Sequence, residues 1–217
     1  MAKTKIDVRR RNFLKKSLML GTSALAAPYF SRVSSLASLD RVTIFHSSVV
    51  VSIHPYNHSS SPIYGNWQHV IEPLIELDYD KKDYVGVLAE SWQFQGNKWI
   101  FKLRKGVKFH NGAPLTSRDV AFSVEKMRDA KGGSLQAPNF KDVTEIQTPD
   151  ELTVIFVTKQ PLAIFLDRLE NRFILSKVAG DKFGDKLYEN PIGTGPYKFL
   201  SYQRAPRMAI ASVRVIG

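Results

Sequence analysis

The sequence predicts an α+β fold, in the sense of an irregular α/β architecture, and three observations carry that prediction. Stretches with apolar residues at every second position, such as Trp92 to Leu103, read as half-buried strands. Stretches with helical spacing, such as Val120, Val124 and Met127, read as helices. The two kinds are mixed without a steady strand–helix–strand alternation, which argues against a doubly wound parallel sheet.

The chain of 217 residues opens on a segment that stands apart from this fold. A basic start from Lys3 to Lys16, an apolar middle from Leu18 to Phe30 and small-residue exits follow the order of a secretory signal. Arg10-Arg11-Asn12-Phe13-Leu14-Lys15 resembles the twin-arginine pattern. Arg10, Arg11, Phe13, Leu14 and Lys15 are then an address read by the twin-arginine export machinery and do not act as an anchor. The apolar middle is broken by Gly21, Thr22, Ser23 and Pro28, and falls short of the roughly 20 residues of a spanning helix. Cleavage is expected after Ala26 or Ala37, with Ala37 preferred, which assigns residues 1–37 to the signal. The alternative is a basic tail beside a short core helix.

Removing that segment changes the meaning of the charge. Residues 1–37 hold eight Lys/Arg and one acid, so they carry +7 of the total +11 and leave +4 for residues 38–217. The remaining charges alternate in sign, which disfavours nucleic acid as a partner. No cysteine is present, so disulfides, thiolate metal ligation, thiol chemistry and a cysteine-linked lipid anchor are excluded. With no further long apolar run, a soluble, periplasmic product is expected.

Val42 to His46 followed by Val49 to Val51 is rich in β-branched residues and reads as a buried first strand over 42–51. His54 to Pro62 reads as loop, since Pro and Ser dominate it. Ile63, Trp67, Val70, Ile71 and Leu74 have helical spacing, which predicts a helix from about Pro62 that falters at Pro73. Trp92 and Phe94, a Gly96-Asn97 turn, then Trp99, Phe101 and Leu103 predict a hairpin with one aromatic face buried. Thr116 three residues before Asp119 marks a helix start, and Val120, Val124 and Met127 mark its inner face. Lys131-Gly132-Gly133-Ser134 reads as a flexible loop. A strand with Leu152, Val154 and Phe156 is expected after a Pro149-Asp150 turn, and a helix with Leu162, Phe165, Leu166 and Leu169 after that.

Catalytic and metal chemistry find little support. His46, His54, His58 and His69 lie close in sequence, but their spacing matches no zinc pattern. No Ser-His-Asp, Cys-His or paired-carboxylate constellation stands out, so the chain is read as a non-enzyme without a cofactor. Gly193-Thr194-Gly195-Pro196 lacks the Lys-Ser/Thr of a phosphate loop and the third glycine of a dinucleotide fingerprint, and reads as a rigid turn.

Three stretches go beyond generic patterning: Leu88 to Trp92 with Trp99 to Gly112, then Ala113 to Ser123, then Pro191-Ile192-Gly193-Thr194-Gly195-Pro196-Tyr197. In this order they resemble the extracytoplasmic solute-binding proteins, family 5, of ABC importers for peptides, nickel complexes and some sugars. The likeness covers roughly residues 40–203, and departs at Ser117, where alanine is usual.

The resemblance implies the first lobe of a two-lobed periplasmic binding protein of the class II, cluster C type. A partial lobe over 38–203 would comprise the first strand, an inserted subdomain at about 62–190 and a hinge-side segment at 191–203. It implies a monomer that captures a small solute (peptide, sugar or metal complex) by lobe closure and delivers it to an ABC permease. His58, Ser59, Ser60, Ser61, Tyr64 and Asn66 would then form one wall of the solute cleft. Hydroxyls and free N–H groups at a helix start suit a ligand carboxylate, although the same run reads equally as a solvated Ser-rich loop. The likeness breaks near Arg204, and residues 204–217 form an atypical tail. The expectation is a chain truncated before its second lobe, with a shifted reading frame as one cause. A non-binding remnant and, more remotely, an exported enzyme are the alternatives.

Overall fold

A computed structural model describes residues 41–46, 54–57, 67–205 and 208–215, and side chains within 54–57 and 67–201. All lie in one unit that runs from Leu39 to Gly217. The period-two segment folds as expected: β4 (Ala89–Gln95) and β5 (Lys98–Leu103) pair through the Gly96-Asn97 turn. In this register Phe94 lies opposite Trp99, with ring centroids 4.7 Å apart, and Trp92 lies opposite Phe101.

The burial of the two strands differs. Trp99, Phe101 and Leu103 on β5 are buried, whereas Phe94 on the edge strand β4 is 40% exposed. The reason is position in the sheet: β6 (Val143–Asp150) and β7 (Thr153–Thr158) complete an antiparallel order β4-β5-β7-β6, so β5 and β7 are central. Phe101 meets Phe156 edge-on at 5.7 Å, and Phe156 meets Phe165 at 5.2 Å. Each ring withdrawn from water contributes about 1.5–3 kcal/mol. The Trp99 indole N–H donates to the Leu162 carbonyl at 2.9 Å, so this ring is buried without stranding its polar atom.

β6 was not expected from the pattern. A register shift between Val143 and Glu145, a second between Gln147 and Asp150, and Pro149 interrupt its alternation. Proline is tolerated there because β6 is an edge strand. The expected turn at Pro149-Asp150 is therefore corrected: those residues end β6, and the turn is Glu151-Leu152.

Helix α1 (Ser117–Arg128) starts where the sequence places it, and lies against β6 and β7 with Val120, Val124 and Met127 buried. The buried Asp119 carboxylate accepts from the Thr116 N–H and from its hydroxyl, both at 2.8 Å. Its other oxygen accepts the Lys177 N–H at 2.7 Å, at the start of α3 (Lys177–Phe183). One carboxylate thus satisfies amides at two helix starts. Ser117 uses its hydroxyl too, donating to the Asp150 carbonyl while its N–H donates to the Glu151 carbonyl at 2.7 Å. Between α1 and α3 lies the short helix α2 (Phe165–Leu169), with Phe165 and Leu169 inside.

The remaining strands are shorter or lie apart. β2 (Ile75–Asp78) and β3 (Asp83–Gly86) form a two-stranded hairpin. The strands β1 (Arg41–His46), β8 (Tyr197–Ala205) and β9 (Met208–Val215) form an antiparallel sheet in the order β1-β9-β8. The expected strand over 42–51 is observed to His46, and its remainder lies outside the described residues. The helix expected between Pro62 and Pro73 is corrected in its described part: Trp67 is helical, residues 68–70 are a turn, and Pro73 bridges to Phe173. The His69 and Val70 carbonyls, which a continuing helix would use, accept instead from the Tyr197 and Gly195 N–H groups.

Candidate functional site

A cleft of about 550 Å³ lies between the turn at His54 to Asn57, the end of α1 and the 3₁₀ turn Gly184–Tyr188. Its lining includes His54, Lys126, Asp129, Asp185, Tyr188 and Glu189. Tyr56 anchors the His54 turn. Its ring is buried, its hydroxyl donates to the Phe173 carbonyl at 2.9 Å, and its own carbonyl accepts the Leu135 N–H at 3.1 Å. His54 is thereby set against Tyr188, with ring centroids 3.6 Å apart and planes 33° apart.

The opposite wall comes from the segment expected to be a flexible loop. It is a hydrogen-bonded turn: Asp129 accepts the Gly132 N–H at 2.8 Å, and the buried Ser134 hydroxyl donates to the Met127 carbonyl at 2.7 Å. Lys126 in the last turn of α1 adds a lysine to the lining.

Electrostatics follow from burial and three carboxylates. Burial holds the His54 imidazole below its usual value, opposed by the Asp185 carboxylate. The imidazole is therefore neutral near pH 7. Burial, with Asp185 and Asp129 nearby, pushes the Tyr188 phenol up to about 12. With Asp129, Asp185 and Glu189 against Lys126, the described residues of the lining carry an excess of negative charge. Carboxylates beside a tyrosine ring can hold an ammonium group by ion pairing and by cation–π attraction.

A second arrangement brings the Gly193-Thr194-Gly195-Pro196-Tyr197 segment to the residues after Trp67. The Gly195 N–H donates to the Val70 carbonyl at 3.0 Å and the Tyr197 N–H to the His69 carbonyl at 3.1 Å. Thr194 donates to Glu72 Oε2 at 3.0 Å. The segment is a strut packed against distant backbone.

The sequence-predicted wall residues His58, Ser59, Ser60, Ser61, Tyr64 and Asn66 lie outside the described residues, as do Arg10, Arg11, Phe13, Leu14 and Lys15. Of the histidines weighed for metal, His54 stacks on Tyr188 and His69 faces the Tyr197 ring at 5.9 Å. Sequence reasoning missed Lys126, Asp129, Asp185, Tyr188 and Glu189. Asp185 to Glu189 run directly into the Pro191–Tyr197 motif, but their spacing alone does not separate them from a solvated acidic turn.

Comparison with known proteins identifies relatives. Residues 83–211 match the family model described as bacterial extracellular solute-binding proteins, family 5, middle region. The dipeptide-binding protein of Escherichia coli is 31% identical over 232 residues, covering 94% of this chain and 42% of that protein. The glutathione-binding protein GsiB of Pectobacterium atrosepticum is 27% identical, covering 72% of this chain and 31% of that protein. Among solved structures, the PBP AgaA in complex with agropinic acid, from A. tumefaciens R10, superposes with a TM-score of 0.67 at 26% identity. That match covers 73% of this chain and 33% of the other. The periplasmic binding protein DppA from Helicobacter pylori, in complex with the peptide STSA, gives 0.64 at 26% identity, covering 73% and 36%. The chain spans 26% to 42% of the length of these curated relatives and of the Brucella peptide-binding proteins that it also matches.

Proposed function

Because the chain belongs to the bacterial extracellular solute-binding proteins of family 5, we propose that it serves as the solute-capturing component of an ABC importer. Capture would use lobe closure with no covalent step, followed by delivery to a membrane permease. The observation that carries this reading is the family match over residues 83–211, together with the acidic, aromatic-lined cleft at His54 and Tyr188. The solute class is a small peptide-like zwitterion. Asp129, Asp185 and Glu189 favour its ammonium, and Lys126 favours its carboxylate.

The same proposal includes His58, Ser59, Ser60, Ser61, Tyr64 and Asn66 as one wall of the solute cleft, supported by their place in the chain directly after Asn57. It also includes a twin-arginine signal over residues 1–37, a periplasmic, soluble, monomeric product, and a lobe laid out over 38–203 with an inserted subdomain at about 62–190. The residue order around Arg10 and Arg11 supports the signal. Among the described residues, no helix is long and apolar enough to cross a membrane.

Thermal melts of the full chain with a dipeptide, a sugar and a nickel–histidine complex test the reading. A ligand that binds only the folded state stabilises it by about 2.7 kcal/mol at a hundredfold excess over Kd. The dipeptide is expected to raise Tm. A cooperative melt that none of the three moves would overturn the proposal.

A further inference from the structure

Two passages meet at the junction with the three-stranded sheet, one at Trp67 to Ile71 and one through Asn190 to Pro196 into β8. The two passages are bonded to each other at Val70–Gly195 and His69–Tyr197. Their approach leaves no room for a side chain. A Cβ on Gly193 would stand 2.1 Å from the Val70 carbonyl oxygen and 2.7 Å from the Ile71 Cα, and one on Gly195 would stand 2.5 Å from the His69 carbonyl oxygen. Neither glycine occupies the left-handed region, so the requirement is for space.

His110 belongs to neither passage. It sits in the Phe109–Gly112 turn, where the Gly112 N–H donates to the Phe109 carbonyl at 2.8 Å. Its backbone N–H donates to the Gly193 carbonyl at 2.9 Å, and its ring Nε2 lies 2.8 Å from the Gly195 carbonyl oxygen. A carbonyl can only accept, so Nε2 carries the proton. Burial keeps this imidazole below its usual pKa, which leaves the neutral Nε2–H tautomer in place near pH 7. One residue therefore grips both glycine carbonyls, from an element that neither passage contains.

We infer that His110 is the positioning residue of a clasp: its two-point hold on Gly193 and Gly195 presses the 191–197 segment onto residues 69–71, so that the three-stranded sheet and the four-stranded sheet move as one body. Any pivot used in lobe closure then lies outside residues 191–197. The clasp belongs to the fold of this chain and needs no solute, so it stands or falls independently of the proposed transport role.

Hydrogen exchange on the full chain tests it with H110F and H110Q. Phenylalanine keeps a ring but cannot donate, whereas the glutamine amide can place an N–H near the position of Nε2. In H110F, peptides covering 67–72 and 191–197 should exchange about tenfold faster, while those covering 98–103 and 153–158 stay unchanged. H110Q should recover most of the protection. G193A, which leaves His110 intact, should reproduce the H110F pattern. Unchanged protection at 67–72 and 191–197 in H110F would overturn the clasp, as would equal behaviour of H110F and H110Q. Loss of protection at 98–103 as well would overturn it in favour of a general core role for the ring.

Discussion

In the four-stranded sheet, Trp99, Phe101 and Phe156 hold the structure by filling space, whereas at the junction Gly193 and Gly195 hold it by leaving space. The sheet gains from apolar area removed from water. The junction gains from backbone hydrogen bonds that form only because two chain passages can touch. The first kind of stability tolerates a similar side chain. The second tolerates none at all.

The largest expected effect breaks the sheet side of this contrast. F101A removes a fully buried ring that contacts Phe156 at 5.7 Å, and should cost about 3–5 kcal/mol in a denaturant melt. G193A adds one methyl group at the junction and should still cost about 2–4 kcal/mol, since the atom it meets is backbone that cannot swing aside. A cost for G193A no larger than that of an ordinary glycine-to-alanine change at the surface would show that the passages can part freely.

A pair of tryptophans sharpens the comparison. The Trp99 indole N–H has the Leu162 carbonyl as acceptor, while the buried Trp67 indole N–H has no hydrogen-bond partner among the described residues. W99F loses a ring segment and strands that carbonyl, whereas W67F loses a ring segment and relieves an orphan donor. W99F should therefore be less stable than W67F by about 1 kcal/mol, measured by urea midpoint at constant slope.

The smallest effect is pH dependence. His54 in the cleft and His110 at the junction are both held below the usual 6.5 by burial. The unfolded chain therefore takes up protons first as pH falls. The stability that depends on keeping these rings neutral is complete above 6.5 and is lost as pH drops below it. Between pH 7 and 5 the Tm should fall by about 1–3 °C. The double variant H54Q/H110Q should flatten that slope. Asp142, held low by its hydrogen bond to Arg168, titrates below this window and does not contribute there.

The contrast also explains which parts of the fold were legible. The β4–β5 hairpin and α1 announce themselves, because Trp99, Phe101 and Leu103 keep period two and Thr116 with Asp119 marks a helix start. β6 did not, since two register shifts and Pro149 erase the alternation. α3 carries a single buried residue, Ala179, and so has no apolar stripe to read. Gly193-Thr194-Gly195-Pro196 was recognisable as rigid, but its partner at residues 69–71 is more than 120 positions away and cannot be read from spacing. The cleft shares that fate: His54 meets Tyr188 through folding, and neither residue stands in a pattern that names the other.

The most direct test of the account is calorimetric titration of the full chain with L-alanyl-L-alanine and with its N-acetylated form. Saturable binding of the free dipeptide is expected, weakened at least about tenfold when acetylation removes the ammonium that Asp129, Asp185 and Glu189 attract. Equal affinity for the two forms, or no binding of either by a chain that melts cooperatively, would contradict it.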